Sequence, residues 1–231
     1  MSLFAIGDLH FGFGLNKPMD IFGERWKNHE ERIKENWLAE VGPEDTVILP
    51  GDISWGMRIG EAAPHLDLIS SLPGRKVLVC GNHDYWWGST SKLRCLYPGL
   101  IFIKNDSSFY RDYAICGTRG WVCPKDTFFS PSDYKIYNRE QIRLRLSLDD
   151  AVRKGYKKII LALHYPPTND KKEPSGFTDI IGRYPQIEKV VYGHLHGEVS
   201  FGAGIKGVFG GTEYELVSAD YIGFRLKRIL P

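Results

Sequence analysis

Short apolar runs alternate with longer segments of helical spacing along the first hundred residues. Residues 3–6, 46–49, 76–80 and 100–103 are brief stretches dominated by Val, Ile, Leu and Phe, the pattern of short strands. Between them, Trp26, Ile33, Trp37, Leu38 and Val41 mark one face of a helix over 26–41, which Gly42-Pro43 stops. A second helix is predicted over 59–71, with Pro64 near its start and Pro73-Gly74 after its end, and a shorter one over 89–96. This order is that of a right-handed β-α-β series. Farther on, 109–117 reads as a hairpin turning at Arg111-Asp112, and 118–133 as a long aromatic loop, unusual enough to mark a functional surface. Residues 136–154 read as a helix on length and on Arg, Glu, Gln and Leu content, although the alternation of Ile142, Leu144, Leu146 and Leu148 also suits a strand. Strands follow over 158–163 and 188–192, and the alternating tail over 208–229 predicts more, with a turn near Ala219-Asp220.

Five of these strands run into polar residues of one chemical kind. They are Asp8 and His10, then Asp52, then Asn82 and His83, then His164, then His194 and His196. In an open α/β fold the carboxyl ends of strands face a common crevice, so these groups can converge despite their separation in sequence. Asp, Asn and His without thiolate suit Mn, Fe, Zn, Co or Ni better than Ca or a dedicated Mg cage. In Asp8-x-His10 and His194-x-His196, alternate residues of an extended segment point the same way. Glycines precede Asp8, Asp52, Asn82 and His194, which predicts sharp turns and close approach there. Alone, Asp-x-His, His-x-His and Gly-Asp are weak motifs and Gly81-Asn82-His83-Asp84 is moderately specific; five in order, each at a strand end, are not expected by chance.

Composition narrows the classes further. Thirty Lys plus Arg against 28 Asp plus Glu, with 42% hydrophobic and 25% charged residues, describe an ordinary globular chain. The near-neutral balance argues against a nucleic-acid partner bound through clustered cations, but a metal could supply positive charge to a phosphorylated substrate. No apolar run is long enough to span a membrane, and the start of the chain has neither a signal-peptide core nor a basic leader, so a cytoplasmic location is expected. Cys80, Cys95, Cys116 and Cys123 form no C-x-x-C pair and are read as buried, reduced thiols. Residues 1–231 are expected to form one domain, because the ligands come from both halves of the chain. Of the seven histidines, His29 and His65 fall in predicted helices away from any motif.

The series Asp8-x-His10, Gly51-Asp52, Gly81-Asn82-His83-Asp84, His164 and Gly193-His194-x-His196 resembles the calcineurin-like metallophosphoesterase family. The resemblance implies a four-layer α/β/β/α sandwich, two central mixed β-sheets flanked by helices, with a dinuclear metal centre at one edge. It also implies that Asp8, His10, Asp52 and His196 hold one metal, and that a bridging Asp52 with Asn82, His164 and His194 holds the other. Two divalent ions about 4 Å apart can share a hydroxide that attacks phosphorus in line. His83 would then stabilise a phosphoryl oxygen or protonate the leaving group as a general acid. The expected activity is hydrolysis of a phosphomonoester or phosphodiester on a small phosphorylated substrate; the alternatives are a non-catalytic scaffold of the same fold and a nuclease.

One departure from the family pattern concerns His83. Members resembling protein Ser/Thr phosphatases carry an Asp three residues after the bridging Asp and then an Arg; here Trp55 and Gly56 stand there, and Asp84 replaces a Glu. That argues against a Ser/Thr phosphatase and leaves the residue orienting His83 unassigned. Arg58 and Arg119 are candidates for phosphate contact, and Trp86 and Trp121 for a wall on which a planar substrate group stacks.

Overall fold

The computed structural model describes residues 1–231. Strand β1 (Leu3–Ala5) is followed by helix α1 (His29–Glu40), β2 (Thr46–Pro50), α2 (Ile59–Ser71), β3 (Arg75–Val79), α3 (Thr90–Leu96) and β4 (Leu100–Phe102). The second half contains β5 (Ser107–Tyr110), β6 (Tyr113–Thr118), α4 (Asp133–Arg153), β7 (Lys158–Leu163), α5 (Gly176–Ile181) and β8 (Ile187–Tyr192). Helix α6 (Gly197–Phe201) and strands β9 (Gly207–Phe209), β10 (Thr212–Leu216) and β11 (Lys227–Leu230) complete the chain. One sheet has the order β11-β1-β2-β3-β4 and the other β5-β6-β7-β8-β10-β9. Both are mixed: β1 to β4 and β6, β7, β8 and β10 run parallel, while β11, β5 and β9 pair antiparallel at the edges.

The layering follows from strands that are apolar on both faces. Phe4, Val47, Leu49 and Leu78 point outward into a core shared with Ile33 and Trp37 of α1 and Leu66 and Ile69 of α2. Their neighbours Leu3, Ala5, Ile48, Val77 and Val79 point inward and meet Ile115, Ile160, Ala162 and Val191 of the other sheet. The opposite faces of β6, β7 and β8, carrying Cys116, Leu161 and Val190, pack on Leu144 and Leu148 of α4. Three cores between four layers give the α/β/β/α sandwich. Period-2 alternation sends successive residues to different cores, so these strands read as continuous apolar runs.

Several sequence expectations are refined. The 136–154 segment is helical: Tyr137, Glu140, Leu144, Leu148 and Ala151 are buried at helical spacing, while Ile142 and Leu146 face solvent. Helix α1 begins at His29, three residues later than its apolar spacing suggests, because Asn28 adopts a left-handed conformation (φ 53°) after a short 3-10 turn over Glu24–Trp26. The short helices α5 and α6 have no counterpart in the sequence pattern; α5 is closed by a capping box at Ser175 and Thr178. All four cysteines are free, Cys116 and Cys123 buried as expected, but Cys95 is exposed on α3.

Candidate metal centre

The polar strand ends meet where the two sheets are stitched together. Gly7 N donates to Val217 O (2.8 Å) and Ala219 N to Gly7 O (3.0 Å), joining the exit of β1 to that of β10. Asp8 N donates to Gly51 O (2.9 Å), His10 N to Asp52 O (2.9 Å) and Gly193 N to His164 O (3.1 Å), so adjacent site loops hold one another in register. Asp8 (φ 59°), His10 (46°), Asp52 (51°) and His194 (73°) all adopt the left-handed region that favours glycine. Such strain costs about 1–3 kcal/mol per residue and persists where the surroundings over-determine it. Among the preceding glycines, Gly51 alone supplies a positive φ (91°); Gly81 and Gly193 serve close approach instead, since a Cβ would collide with the carboxylates of Asp52 and Asp8.

Two trios of donor atoms result, Asp8/His10/His196 and Asp52/His164/His194, each with its atoms within 4.8 Å of one another. In the first, Nε2 of His10 lies 3.2 Å from Nε2 of His196, which is itself 3.6 Å from Asp8 Oδ1. In the second, His164 Nε2 lies 2.7 Å from Asn82 Oδ1 and 3.4 Å from Asp52 Oδ2. Asp52 joins the two: its Oδ1 accepts from His83 N (2.8 Å), leaving Oδ2 directed at His164 and at His10 Nε2, 3.7 Å away. The structure thus gathers all seven expected ligand residues.

The donor set fits cations. Burial holds His10, His164 and His194 well below the ordinary imidazole value, reinforced at His10 by the charge of His196, so these rings are neutral and carry free lone pairs. Burial, Asp84 and Asp8 push Asp52 well above the usual carboxylate range. Two imidazole nitrogens 3.2 Å apart can share at most one proton between them, and otherwise two lone pairs face each other beside a carboxylate. A divalent cation on each side of Asp52 would relieve both the crowded lone pairs and the repulsion between buried carboxylates.

Around this set lie residues that the sequence did not reveal. Asp220 accepts from His196 Nδ1 (3.0 Å) and from Gly197 N (3.0 Å), fixing the ring so that Nε2 faces the trio. Burial by itself would lower His196, but Asp8 and Asp220 outweigh it and raise the ring to about 10. His164 is braced by the carbonyl of Pro50 through Nδ1 (3.0 Å). Trp55 stacks on His10 (4.8 Å between ring centroids) and lies tilted against His83 (4.6 Å), an aromatic ring standing where a phosphatase-like chain has a carboxylate. His83 itself is partly exposed, with Nε2 4.0 Å from Asp52 Oδ2, and burial and the charge of His196 lower it from the ordinary value.

Asp84, His29 and His65 brace the loops. Asp84 accepts from Ile53 N, Ser54 N, Gly81 N and Trp86 Nε1, tying the end of β2 to the end of β3, and burial pushes it up to about 6 despite these donors. His29 bonds the carbonyls of Trp26 and His10, and His65 joins Ser54 Oγ to Phe13 O. No signal in the spacing distinguishes these two helix histidines from ordinary core residues.

Two clefts border the centre. One, of about 550 Å³, is lined by His194 and His196 together with Trp121, Tyr165 and Phe128. Trp121 is half-buried, its Nε1 donating to Asp133 (2.8 Å), and Tyr165 lies against His194 with 3.9 Å between ring centroids. The other, of about 440 Å³, is lined by His10, His83, His196, Trp26, Trp55 and Arg25. Of the four candidate substrate contacts, Trp121 lies on a cleft wall. Trp86 does not: it is buried in the outer core of the first sheet, its one polar atom spent on Asp84. Arg58 is exposed at the start of α2 and lines neither cleft. Arg119 lies over the ring of Trp121 (4.5 Å) but belongs to a separate polar cavity.

Comparison with known proteins agrees with this geometry. The Gene 66 protein of Mycobacterium phage L5 is 38% identical over 77 residues, 33% of this chain and 37% of that one, so the aligned part is well under two thirds of that relative. The Gene 66 protein of Mycobacterium phage D29 is 27% identical over 202 residues, 86% of this chain and 80% of that one. Two solved structures share the fold: phosphopantetheinyl hydrolase from Mycobacterium tuberculosis (TM-score 0.61, 16% identity, 100% of this chain and 96% of that one) and TT1561 of Thermus thermophilus (TM-score 0.59, 10% identity, 99% and 97%). The calcineurin-like phosphoesterase family model matches residues 1–198, a span that contains every candidate ligand, and the chain is therefore a member of the calcineurin-like phosphoesterase family of phosphoric ester hydrolases.

Proposed function

We propose that this chain hydrolyses a phosphomonoester or phosphodiester of a small molecule, with residues 1–231 acting as one unit because Asp8 and His196 come from distant parts of the sequence. Asp8, His10, Asp52 and His196 would hold one divalent ion, and Asp52, Asn82, His164 and His194 a second. When bound, such ions supply Lewis acidity, lowering the pKa of water and neutralising phosphoryl oxygens. The observation that carries the reading is Asp52 Oδ2, a single carboxylate oxygen 3.4 Å from His164 Nε2 and 3.7 Å from His10 Nε2, between the two trios.

The chain's own residues divide the remaining work. His83 stands at the open side of Asp52, where Nε2 can donate to a phosphoryl oxygen or pass its proton to the departing alkoxide. Trp55 restricts the swing of the His83 ring by lying against it at an interplanar angle of 54°. The larger cleft takes the organic part of the substrate, with Trp121 and Tyr165 as walls for a planar group and Phe128 at the rim. Removing metal and restoring ions one at a time, with a phosphomonoester and a phosphodiester assayed side by side, tests the proposal. Hydrolysis that returns with at least one ion supports it; a protein that binds two ions and cleaves neither ester contradicts it.

A further inference from the structure

On the side of Asn82 and His164, the ends of β3, β4 and β6 enclose with α4 a polar cavity of about 190 Å³. Its wall carries Lys104, Arg119, Arg139 and Arg143 against one carboxylate, Glu140. Glu140 is fully buried, and its Oε2 accepts from Thr118 Oγ1 (2.7 Å). Its Oε1 lies 2.7 Å from Arg143, 3.5 Å from Arg139 and 3.6 Å from Arg119. One negative charge cannot neutralise three guanidiniums gathered within 4 Å of a single oxygen, and the surplus is least screened at Arg119, whose side chain is 20% exposed. Arg119 also has a buried Nε with no hydrogen-bond partner. Glu140 acts as an anchor that converges the guanidiniums on one cavity, which separates this cluster from cations scattered over a solvated surface.

The cavity adjoins the metal centre through the backbone. Cys80 lines it and leads directly into Gly81-Asn82, and the carbonyl of Arg119 accepts the N–H of His164 (3.1 Å). Planar guanidiniums match the geometry of phosphate oxygens, and the cavity's size suits a phosphoryl group better than a nucleoside. We propose that this is a second anion subsite, which takes a phosphoryl group of the substrate remote from the one being cleaved. The substrate class would then be a small molecule bearing two phosphoryl groups, an inference that rests on the phosphohydrolase reading given above.

Two measurements test it and separate its failure from that of the hydrolase reading. Inorganic phosphate is titrated calorimetrically into the full chain kept in chelator, where no metal can bind the anion. One site is expected, with affinity that falls as salt rises and drops about tenfold in Arg139→Gln and Arg143→Gln. Lys104→Gln, an exposed change that leaves the Glu140 cluster intact, should weaken binding severalfold, which keeps the test usable if an arginine variant misfolds. No binding to the wild type, or equal affinity in all folded variants, overturns the subsite. In the metal-loaded protein, adenosine 3′,5′-bisphosphate is then compared with adenosine 5′-phosphate. A lower KM for the bisphosphate, with an advantage that shrinks about tenfold in Arg139→Gln, supports the assignment to substrate. An equal change for both compounds, or no KM advantage for the bisphosphate, overturns that assignment and leaves the hydrolase reading in place; the hydrolase reading fails only if the metal-loaded protein cleaves neither ester in the ion-restoration assay.

Discussion

In the trio of Asp8, His10 and His196 the last imidazole leans on a carboxylate, Asp220, whereas in the trio of Asp52, His164 and His194 the buried His164 leans on the carbonyl of Pro50. The ligand types are alike, but their support is not. The carboxylate adds a negative charge behind His196 and strengthens its pull on a cation; the carbonyl fixes the tautomer of His164 without adding charge. Exposure differs in the same sense, since the side chain of His196 is 30% exposed and that of His164 is fully buried. The first trio reaches both clefts through His196, and the second reaches only the larger one, through His194. Both halves therefore border the larger cleft, but a charge stands behind a ligand of the first and a neutral carbonyl behind a ligand of the second.

The strongest way to break this comparison is to remove what the halves share. Asp52→Asn keeps the volume but loses the charge directed at both trios, and should abolish detectable turnover and lower the metal content measured by plasma emission. Turnover that survives with metal content intact would show that the trios do not depend on a common carboxylate. Next in size is His83→Ala, which should cut kcat by about 10²–10⁴-fold. The loss should be greatest for substrates with poor leaving groups, with metal content unchanged; equal losses across leaving groups would assign His83 to oxyanion stabilisation instead.

Asp220→Asn separates the halves. It should weaken one of two metal-binding steps by about 10–100-fold in a competition titration and leave the other step in place. Parallel weakening of both steps would erase the proposed asymmetry. The smallest effect belongs to Asp84→Ala, which leaves the N–H groups of Ile53, Ser54 and Gly81 without their partner. A loss of about 1–3 kcal/mol of stability is expected. For a chain of this size that corresponds to a midpoint lower by about 2–4 °C per kcal/mol in a thermal melt. An unchanged midpoint would mean that the loops are held by the sheets alone.

The strand ends and the polar residues that meet there were legible in the sequence because each lies where an apolar run stops abruptly at Asp, Asn or His, and an open α/β sheet gives such positions one shared edge. The bracing was not. Asp220 reads in the sequence only as part of a turn in a strand-forming tail, and its pairing with His196 arises because β10 returns beside β8. Trp55 could be noticed only as a departure from the family pattern, and its contact with two histidine rings depends on the Phe11 to Ser54 bridge that aligns the loops after β1 and β2. Trp86 misled for the opposite reason. It follows the Asn82-His83 motif directly, but its indole N–H is bound to Asp84, which turns the ring into the core. Aromatic residues near a site motif announce themselves in a sequence; whether they face the ligand or the interior is decided by a partner one or two residues away.

The central claim is that one carboxylate oxygen joins two cation sites. Crystals soaked in manganese and measured at an anomalous wavelength test it directly. The account predicts two anomalous peaks about 3.5–4 Å apart flanking Asp52 Oδ2, one against Asp8, His10 and His196 and the other against Asn82, His164 and His194. A single peak, or two peaks of which only one contacts Asp52, would contradict it.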